Sequence, residues 1–340
     1  EKKQYWHRLS GSLFVLVMAI LIGCAHADTN APDTKAFENF AQHMAAQYGF
    51  RASAIEHVLA QSKRQDDILT AIAHPAEALP WYRYQPIFLQ ESRIRQGVIF
   101  WKQNQAALER AWQQYGVPPQ IIVAILGVET RYGSNRGKYR VIDALRTLAF
   151  DYPPRSGFFR RELEQYLLLS REEGFDPLQP EGSYAGAMGM PQFISSSYRA
   201  YAVDFNGDGH RDLWDQPADA IGSVANYFKA HGWRRGEAVA VPASVAGTTW
   251  SSNDPPKDDP PKLEADSSVA ALGKRGVIPT HALPSEQPAG LVILEGKQSP
   301  EYWIGLPNFY VITRYNHSAL YAMAVYQLSE AIKQQWGSAR

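Results

Sequence analysis

The run Ile121-Ile122-Val123-Ala124-Ile125-Leu126-Gly127-Val128-Glu129-Thr130-Arg131-Tyr132-Gly133 is markedly apolar until it meets Glu129. Pro118-Pro119 stand where a helix accepts proline, at its start, and Gly133 supplies a stop. The segment therefore predicts a helix from Ile121 to Thr130 with a carboxyl at its end. A carboxyl so placed is poorly solvated. Desolvation disfavours the charged form and raises the pKa, which is what a general acid near neutral pH requires. A buried ion pair with Arg131 or another cation would explain the same residues, and the local sequence does not choose between the two.

Outward from this run the apolar residues keep helical spacing. Phe37, Phe40, Ala41, Met44 and Tyr48 mark a helix from about Asp33 to Gly49, Ser53 with Glu56 reads as a capping box, and Asp66 to Ala73 repeats the pattern. Together they predict a helical region over 28–90. A long helix is expected from Glu91 to Tyr115, followed by helices at Val141 to Phe150, Phe158 to Glu173 and Pro217 to His231. No Val/Ile-rich strand run occurs before Val239. Ala238-Val239-Ala240-Val241 and Gly290-Leu291-Val292-Ile293-Leu294 read as strands, separated by a Ser/Asp/Pro/Lys-rich stretch, Thr248 to Ser268, that cannot build a core and reads as an exposed loop or disordered insertion. Helix returns from about Ser318. The expected fold is mainly α (α+β), with a core over 91–241, a small inserted β subdomain over 242–303 and a C-terminal segment over 304–340.

Lys+Arg and Asp+Glu number 34 each, so the chain carries no electrostatic footprint for nucleic acid. Nine Trp and eighteen Tyr suit a carbohydrate-binding surface, although aromatics of this kind also fill cores. Residues 1–27 read as a targeting segment, with Lys2, Lys3 and Arg8 before an apolar run, Leu13 to Ile22, too short to span a bilayer. It ends in Leu21-Ile22-Gly23-Cys24, a pattern like a bacterial lipobox, which would put a lipid on Cys24 and anchor the chain to a membrane; a secretory peptide cut after Ala25 or Ala27 is the simpler alternative. Cys24 is the only cysteine, so no internal disulfide can form and the fold must stand on its core.

Three further segments carry chemistry. Gly182-Ser183-Tyr184-Ala185-Gly186-Ala187-Met188-Gly189-Met190-Pro191-Gln192-Phe193 lets backbone pass close to a ligand, while Ser183 and Gln192 offer hydrogen bonds to sugar hydroxyl or amide groups; it could equally be a glycine-rich turn. Asp204-Phe205-Asn206-Gly207-Asp208-Gly209-His210-Arg211-Asp212-Leu213-Trp214-Asp215 matches an EF-hand loop, with oxygen donors at alternate positions and glycine at the sixth. Asp204, Asn206, Asp208 and His210 are candidate ligands, with Asp215 or Asp219 as the last, and the ion implied is a structural Ca²⁺. Asn308-Phe309-Tyr310-Val311-Ile312-Thr313-Arg314-Tyr315-Asn316-His317-Ser318 interleaves polar and aromatic side chains before the final helix.

Taken in order, these segments resemble the membrane-bound lytic murein transglycosylase B family, glycoside hydrolase family 103, over nearly all of the chain beyond Cys24. The resemblance implies a lysozyme-like core that cleaves the β-1,4 bond between N-acetylmuramic acid and N-acetylglucosamine in peptidoglycan. It implies Glu129 as acid and base, Ser183, Gln192 and Phe193 as sugar-binding groups, and Tyr84, Tyr227, Tyr315 and Asn316 along the cleft. By the same resemblance the product is a 1,6-anhydro sugar, no organic cofactor is used, and the location is the periplasmic face of the outer membrane. The chain departs from the family at Met190-Pro191, over Ala243 to Pro300, and by one extra residue before Asp219. A hydrolytic muramidase would differ in leaving a reducing end, and a non-catalytic peptidoglycan-binding lipoprotein would leave sacculi intact.

Overall fold

The computed structural model describes residues 34–73, 79–246 and 263–338; the targeting segment with Cys24, and most of the Thr248 to Ser268 stretch, lie outside them. Helices α1 (Thr34–Tyr48), α2 (Ala52–Gln61) and α3 (Asp66–Ala73) form the N-terminal region. The buried face of α1 is Phe37, Phe40, Ala41 and Met44, and Phe37 meets Phe150 edge-on at 4.8 Å. Ser53 does not open α2. The helix begins one residue earlier, after Arg51, and no side chain caps it, so the expected capping box is not formed.

Helices α4 (Trp81–Phe88), α5 (Glu91–Gln103) and α6 (Gln105–Tyr115) follow. The single long helix expected over Glu91 to Tyr115 is broken at Asn104, whose backbone leaves the helical region (φ −117°) and whose Nδ2 donates back to the Phe100 carbonyl at 2.9 Å. Asparagine competes with the backbone in this way, while the apolar pattern runs on past the break.

Helix α7 (Pro119–Thr130) is the centre of the molecule. Ile121 through Gly127 are all buried, which a helix apolar on every face requires. It packs against α5, α6 and the last helices, α11 (Pro217–Ala230) and α14 (Ala319–Ser338). Between them, α8 (Val141–Asp151) pairs with α9 (Ser156–Glu173), and α10 (Ser195–Tyr201) lies across α9. Two short strands, β1 (Tyr139–Arg140) and β2 (Glu181–Gly182), pair antiparallel beside the glycine-rich segment.

The β region is a five-stranded antiparallel sheet in the order β4-β6-β7-β3-β5: β3 (Ala240–Val245), β4 (Ser267–Ser268), β5 (Val277–Pro279), β6 (Pro288–Leu294) and β7 (Glu301–Gly305). With helix α12 (Val269–Lys274) it encloses its own small core around Val241, Leu272, Val277 and Ile304. The segment 307–315, read from sequence only as interleaved polar and aromatic residues, is a further helix, α13 (Pro307–Tyr315), with proline in its first turn and Phe309 and Ile312 buried. The chain is mainly α, as its periodicity implied.

Candidate active site

Glu129 is the penultimate residue of α7 and is half-buried. Helix carbonyls point their partial negative charge toward this end, which opposes ionisation. Burial dominates and pushes the Glu129 carboxyl up to about 7, while one hydrogen bond, from the Tyr321 hydroxyl to Oε1 at 2.5 Å, acts in the opposite direction. Arg131 does not pair with Glu129; its guanidinium turns outward and donates to Gln90 Oε1 at 2.9 Å. Among the described residues no other cation pairs with Glu129 either.

The chain leaves α7 under strain. Arg131 (φ 50°) and Tyr132 (φ 60°) are left-handed, and Gln192 (φ 53°) is the third such non-glycine residue among those described. All three adjoin the candidate site, and backbone held in so unfavourable a region is maintained only where the surroundings impose it. Tyr132 shows how. Its hydroxyl donates to the Arg93 carbonyl at 2.8 Å, and its ring stacks on Phe100 with centroids 5.6 Å apart. A Cβ on Gly127 or Gly97 would lie 2.6 Å from that hydroxyl, so both glycines are needed to let the tyrosine in.

Thr130 ties α7 to the glycine-rich segment. Its Oγ1 donates to the Met190 carbonyl at 2.8 Å and accepts the Gly133 amide at 2.9 Å. Tyr315, at the end of α13, donates to the Pro191 carbonyl at 2.6 Å from the other side. Gln192 is thus held between two fixed points, and its Nε2 donates to the carbonyls of Gly189 (2.9 Å) and Arg136 (3.2 Å). Ser183 is partly exposed, with Oγ accepting the amides of Ala185 and Ala187 at 3.2 and 3.0 Å.

The aromatic residues separate into two kinds. Tyr84 and Tyr315 stand close enough to Glu129 for its charge to add to the effect of their own burial, and both phenols are held above their ordinary range. Phe193 is buried beneath this layer, 5.6 Å from Tyr227 and 5.9 Å from Tyr315, so it supports the tyrosines from below. Tyr227 donates to the Arg314 carbonyl at 2.6 Å and stacks on His231. Asn316 is exposed just beyond α13. Tyr321 escaped the sequence reading. Its signal was the serine cap: the Ser318 Oγ accepts the Tyr321 amide at 3.3 Å, which places Tyr321 in the first turn of α14, facing the end of α7.

The EF-hand-like loop lies behind the glycine-rich segment, joined to it by the Met190 amide donating to the Leu213 carbonyl at 2.8 Å. Asp204 gathers the loop, accepting the amides of Gly207, Asp208 and Gly209. Asp208 accepts from His210 N at 3.0 Å and from Asn206 Nδ2 at 2.8 Å. Asp215 is drawn off to Arg136, at 2.9 Å. Asp219 is wholly buried and turns back on the loop, accepting the amides of Phe205, Asn206 and Asp212. Among the described residues no three His, Cys, Asp or Glu side chains form a metal-holding group. The donor set is all oxygen, however, and the positive φ of Gly207 and Gly209 closes the loop, a combination that fits a hard cation.

A carboxyl raised to about 7 at the end of a buried helix, flanked by tyrosines in a helical core, is an arrangement suited to a lysozyme-like enzyme that acts on glycans. Residues 32–330 match the family described as the transglycosylase SLT domain, and the chain belongs to that family of lytic transglycosylases. It is 47% identical over 305 residues to the membrane-bound lytic murein transglycosylase B of Escherichia coli K12, covering 87% of this chain and 82% of the relative. Among solved structures it resembles the soluble lytic transglycosylase SltB1 of Pseudomonas aeruginosa at a TM-score of 0.80 and 47% identity, covering 89% of this chain and 99% of that one. The E. coli lytic transglycosylase Slt35 in complex with calcium matches at 0.81 and 46% identity, covering 91% and 95% of the two chains.

Proposed function

We propose that this lytic transglycosylase cuts the β-1,4 bond between N-acetylmuramic acid and N-acetylglucosamine in peptidoglycan, with Glu129 as its single acid and base. The observation that carries the reading is a carboxyl raised to about 7 with a phenol as its hydrogen-bond donor and no paired cation. Such a group still holds its proton near neutral pH and can release it there. Glu129 gives that proton to the glycosidic oxygen as the bond to C1 breaks. The substrate's own N-acetyl carbonyl oxygen stabilises C1 in place of a second carboxylate. The carboxylate, held by the Tyr321 hydroxyl, then takes the C6 hydroxyl proton as C6 oxygen bonds to C1. The 1,6-anhydro ring closes, Glu129 is reprotonated and no water is consumed. Ser183, Gln192, Tyr84, Tyr315 and Asn316 hold the sugars, over Phe193 and Tyr227. Mass spectrometry of muropeptides released from isolated sacculi tests this: anhydro ends, one water lighter than reducing ends, are expected. Reducing ends would make the enzyme a hydrolytic muramidase, and intact sacculi a binding protein.

Asp204, Asn206, Asp208, the His210 carbonyl and Asp219 are proposed to hold a structural Ca²⁺, with Asp215 left to Arg136. Calcium would neutralise the carboxylates crowded in the loop and stiffen the support behind Gln192. Calcium should raise the melting temperature, and Asp204→Ala with Asp208→Ala should abolish the rise. For location, no helix among the described residues is long and apolar enough to cross a membrane. Lipidation of Cys24 is the proposed anchor to the periplasmic face of the outer membrane, and Cys24→Ser should then fractionate as a soluble protein.

A further inference from the structure

At the end of α7 away from Glu129, a cavity of about 360 Å³ opens between Trp112 of α6, the first turn of α7, the connection from α11 to β3, and Tyr326 of α14. Its size is at the small end of ligand sites, roughly 300–1,000 Å³. Along the helix, Gln120 in its wall is about 14 Å of rise from Glu129. Neither Glu129 nor any sugar-binding residue named above is among its walls.

The walls are fixed before any ligand arrives. Arg235 donates to the carbonyls of Trp112 and Gln113, both at 2.6 Å, and lays its guanidinium over the Trp112 ring at 4.9 Å. Gly116 (φ 74°) allows this approach, because a Cβ there would lie 2.9 Å from Arg235. The buried Asn308 clasps the connection, accepting the Arg234 amide and donating to the carbonyls of Arg234 and Glu237. The Tyr326 hydroxyl donates to the Ala240 carbonyl at 3.1 Å, which holds its ring in place.

Trp233 is the wall residue that lacks a partner. It is 4% exposed, and its Nε1 is buried with no acceptor among the described residues. A buried donor left unpaired is unfavourable and calls for an acceptor. The charges of the rim already answer one another: Glu237 lies 3.6 Å from Arg234, and Glu330 lies 4.0 Å from Lys333. The walls therefore ask for a neutral acceptor. No side chain caps the start of α7, where Gln120 adds a carboxamide able to donate and to accept. Aromatic rings, one carboxamide and one orphaned N–H suit a neutral ring with apolar faces and an amide substituent. An N-acetylhexosamine is such a ring, since its acetamido group carries a carbonyl, an N–H and a methyl together.

We infer that this cavity is a second glycan site, holding an N-acetylhexosamine residue of a neighbouring strand. Its acetamido carbonyl accepts from Trp233 Nε1, Gln120 engages the amide N–H, and the ring lies against Trp112 and Tyr326. The enzyme would then grip one strand while the cleft at the other end of α7 cuts another. Only the source of the sugar is taken from the transglycosylase reading.

The test uses Glu129→Gln, which leaves oligomers uncut, with its indole nitrogens isotopically labelled for NMR. The Trp233 indole signal, identified by its absence from Trp233→Phe, should move on titration with the N-acetylglucosamine tetramer and stay still with the deacetylated tetramer. The monosaccharide should bind there more weakly. Gln120→Ala, in the first turn of α7, should weaken this titration by roughly three- to tenfold, the worth of one hydrogen bond. Calorimetry, which needs no signal assignment, should count two tetramer sites, of which Gln120→Ala weakens one. An indole signal that ignores the tetramer, a single calorimetric site, or two sites unmoved by Gln120→Ala would overturn the inference. Equal affinity for the monosaccharide would make this a free-sugar site and overturn its claim on a second strand. Catalysis enters none of these readouts, so sacculi left intact by wild type would count against the transglycosylase reading and not against this one.

Discussion

Glu129 closes one helix and Asp219 opens another, and both carboxyls are withdrawn from water, yet they are solvated by the protein in opposite ways. Asp219 stands in the first turn of α11, where the helix dipole favours a negative charge, and three backbone amides at 2.8 to 3.0 Å point at its oxygens. Burial raises its pKa and those amides pull it back. Glu129 stands at the unfavourable end of its helix with a single phenolic donor. Burial is common to both; the count and kind of donors decide whether a carboxyl fixes a loop or trades a proton.

The largest effect expected from this contrast is on chemistry alone. Glu129→Gln keeps shape and hydrogen bonding but cannot give and retake a proton. Release of anhydro-muropeptides should fall by about 10³–10⁴-fold, since one group serves both half-reactions, while affinity for a glycan oligomer persists. Near wild-type turnover in this variant would remove the distinction between the two carboxyls.

The opposite pattern is expected at the metal loop. Asp219→Ala orphans three amides, each costing about 1–3 kcal/mol when buried. A loss of about 3 kcal/mol, or roughly 4–5 °C in Tm by calorimetry for a chain of this length, is expected. The activity of the protein that remains folded should change little. A variant that melts with wild type would show that water or a neighbouring group replaces Asp219.

Most of the helical fold was legible because a period of 3.6 survives wherever one face is buried, as in α1 and α9. The break at Asn104 was not legible, because the apolar pattern on either side is continuous and only a side-chain bond to the Phe100 carbonyl ends α5. Helix α13 was hidden because its polar and aromatic side chains interleave without a clear apolar face, and one of the polar ones, Asn308, is buried with its amide donating to the carbonyls of Arg234 and Glu237. At the site, the apolar run singled out Glu129 but left an ion pair open, and its role as acid and base came only from the resemblance. Tyr321 was not legible, since its part comes from α14 packing against α7, a contact between residues 192 positions apart.

A third expectation concerns stability against pH. Glu129 keeps its proton to about 7 in the folded chain, against an ordinary value of 4.5. Between those values the native state binds more protons than the unfolded one, so this contribution is fully present below about 4.5 and is lost as pH rises through about 7. The loss amounts to up to about 3 kcal/mol. Glu129→Gln carries no such proton. Relative to wild type it should gain stability between pH 4.5 and pH 8 in denaturant unfolding, and parallel curves for the two proteins would contradict the raised pKa.

The smallest expected effect isolates the one donor that Glu129 has. Tyr321→Phe keeps the ring, its burial and its stacking on Tyr315 at 6.5 Å, and deletes only the hydroxyl. That hydroxyl stabilises the carboxylate more than the acid, so its loss raises the Glu129 pKa further. Two consequences distinguish this from a packing defect. The alkaline limb of the pH–rate profile, where Glu129 loses the proton it must donate, should move to higher pH. The rate near neutrality should fall by about tenfold, because the carboxylate formed as the bond breaks is left without its partner, a loss of about 1.4 kcal/mol. Melting near pH 4.5, where Glu129 is protonated in either protein, should differ little. A lower rate with an unmoved pH profile would reduce Tyr321 to a packing residue. The hydroxyl's single bond would then do for Glu129 no more than the three amides do for Asp219.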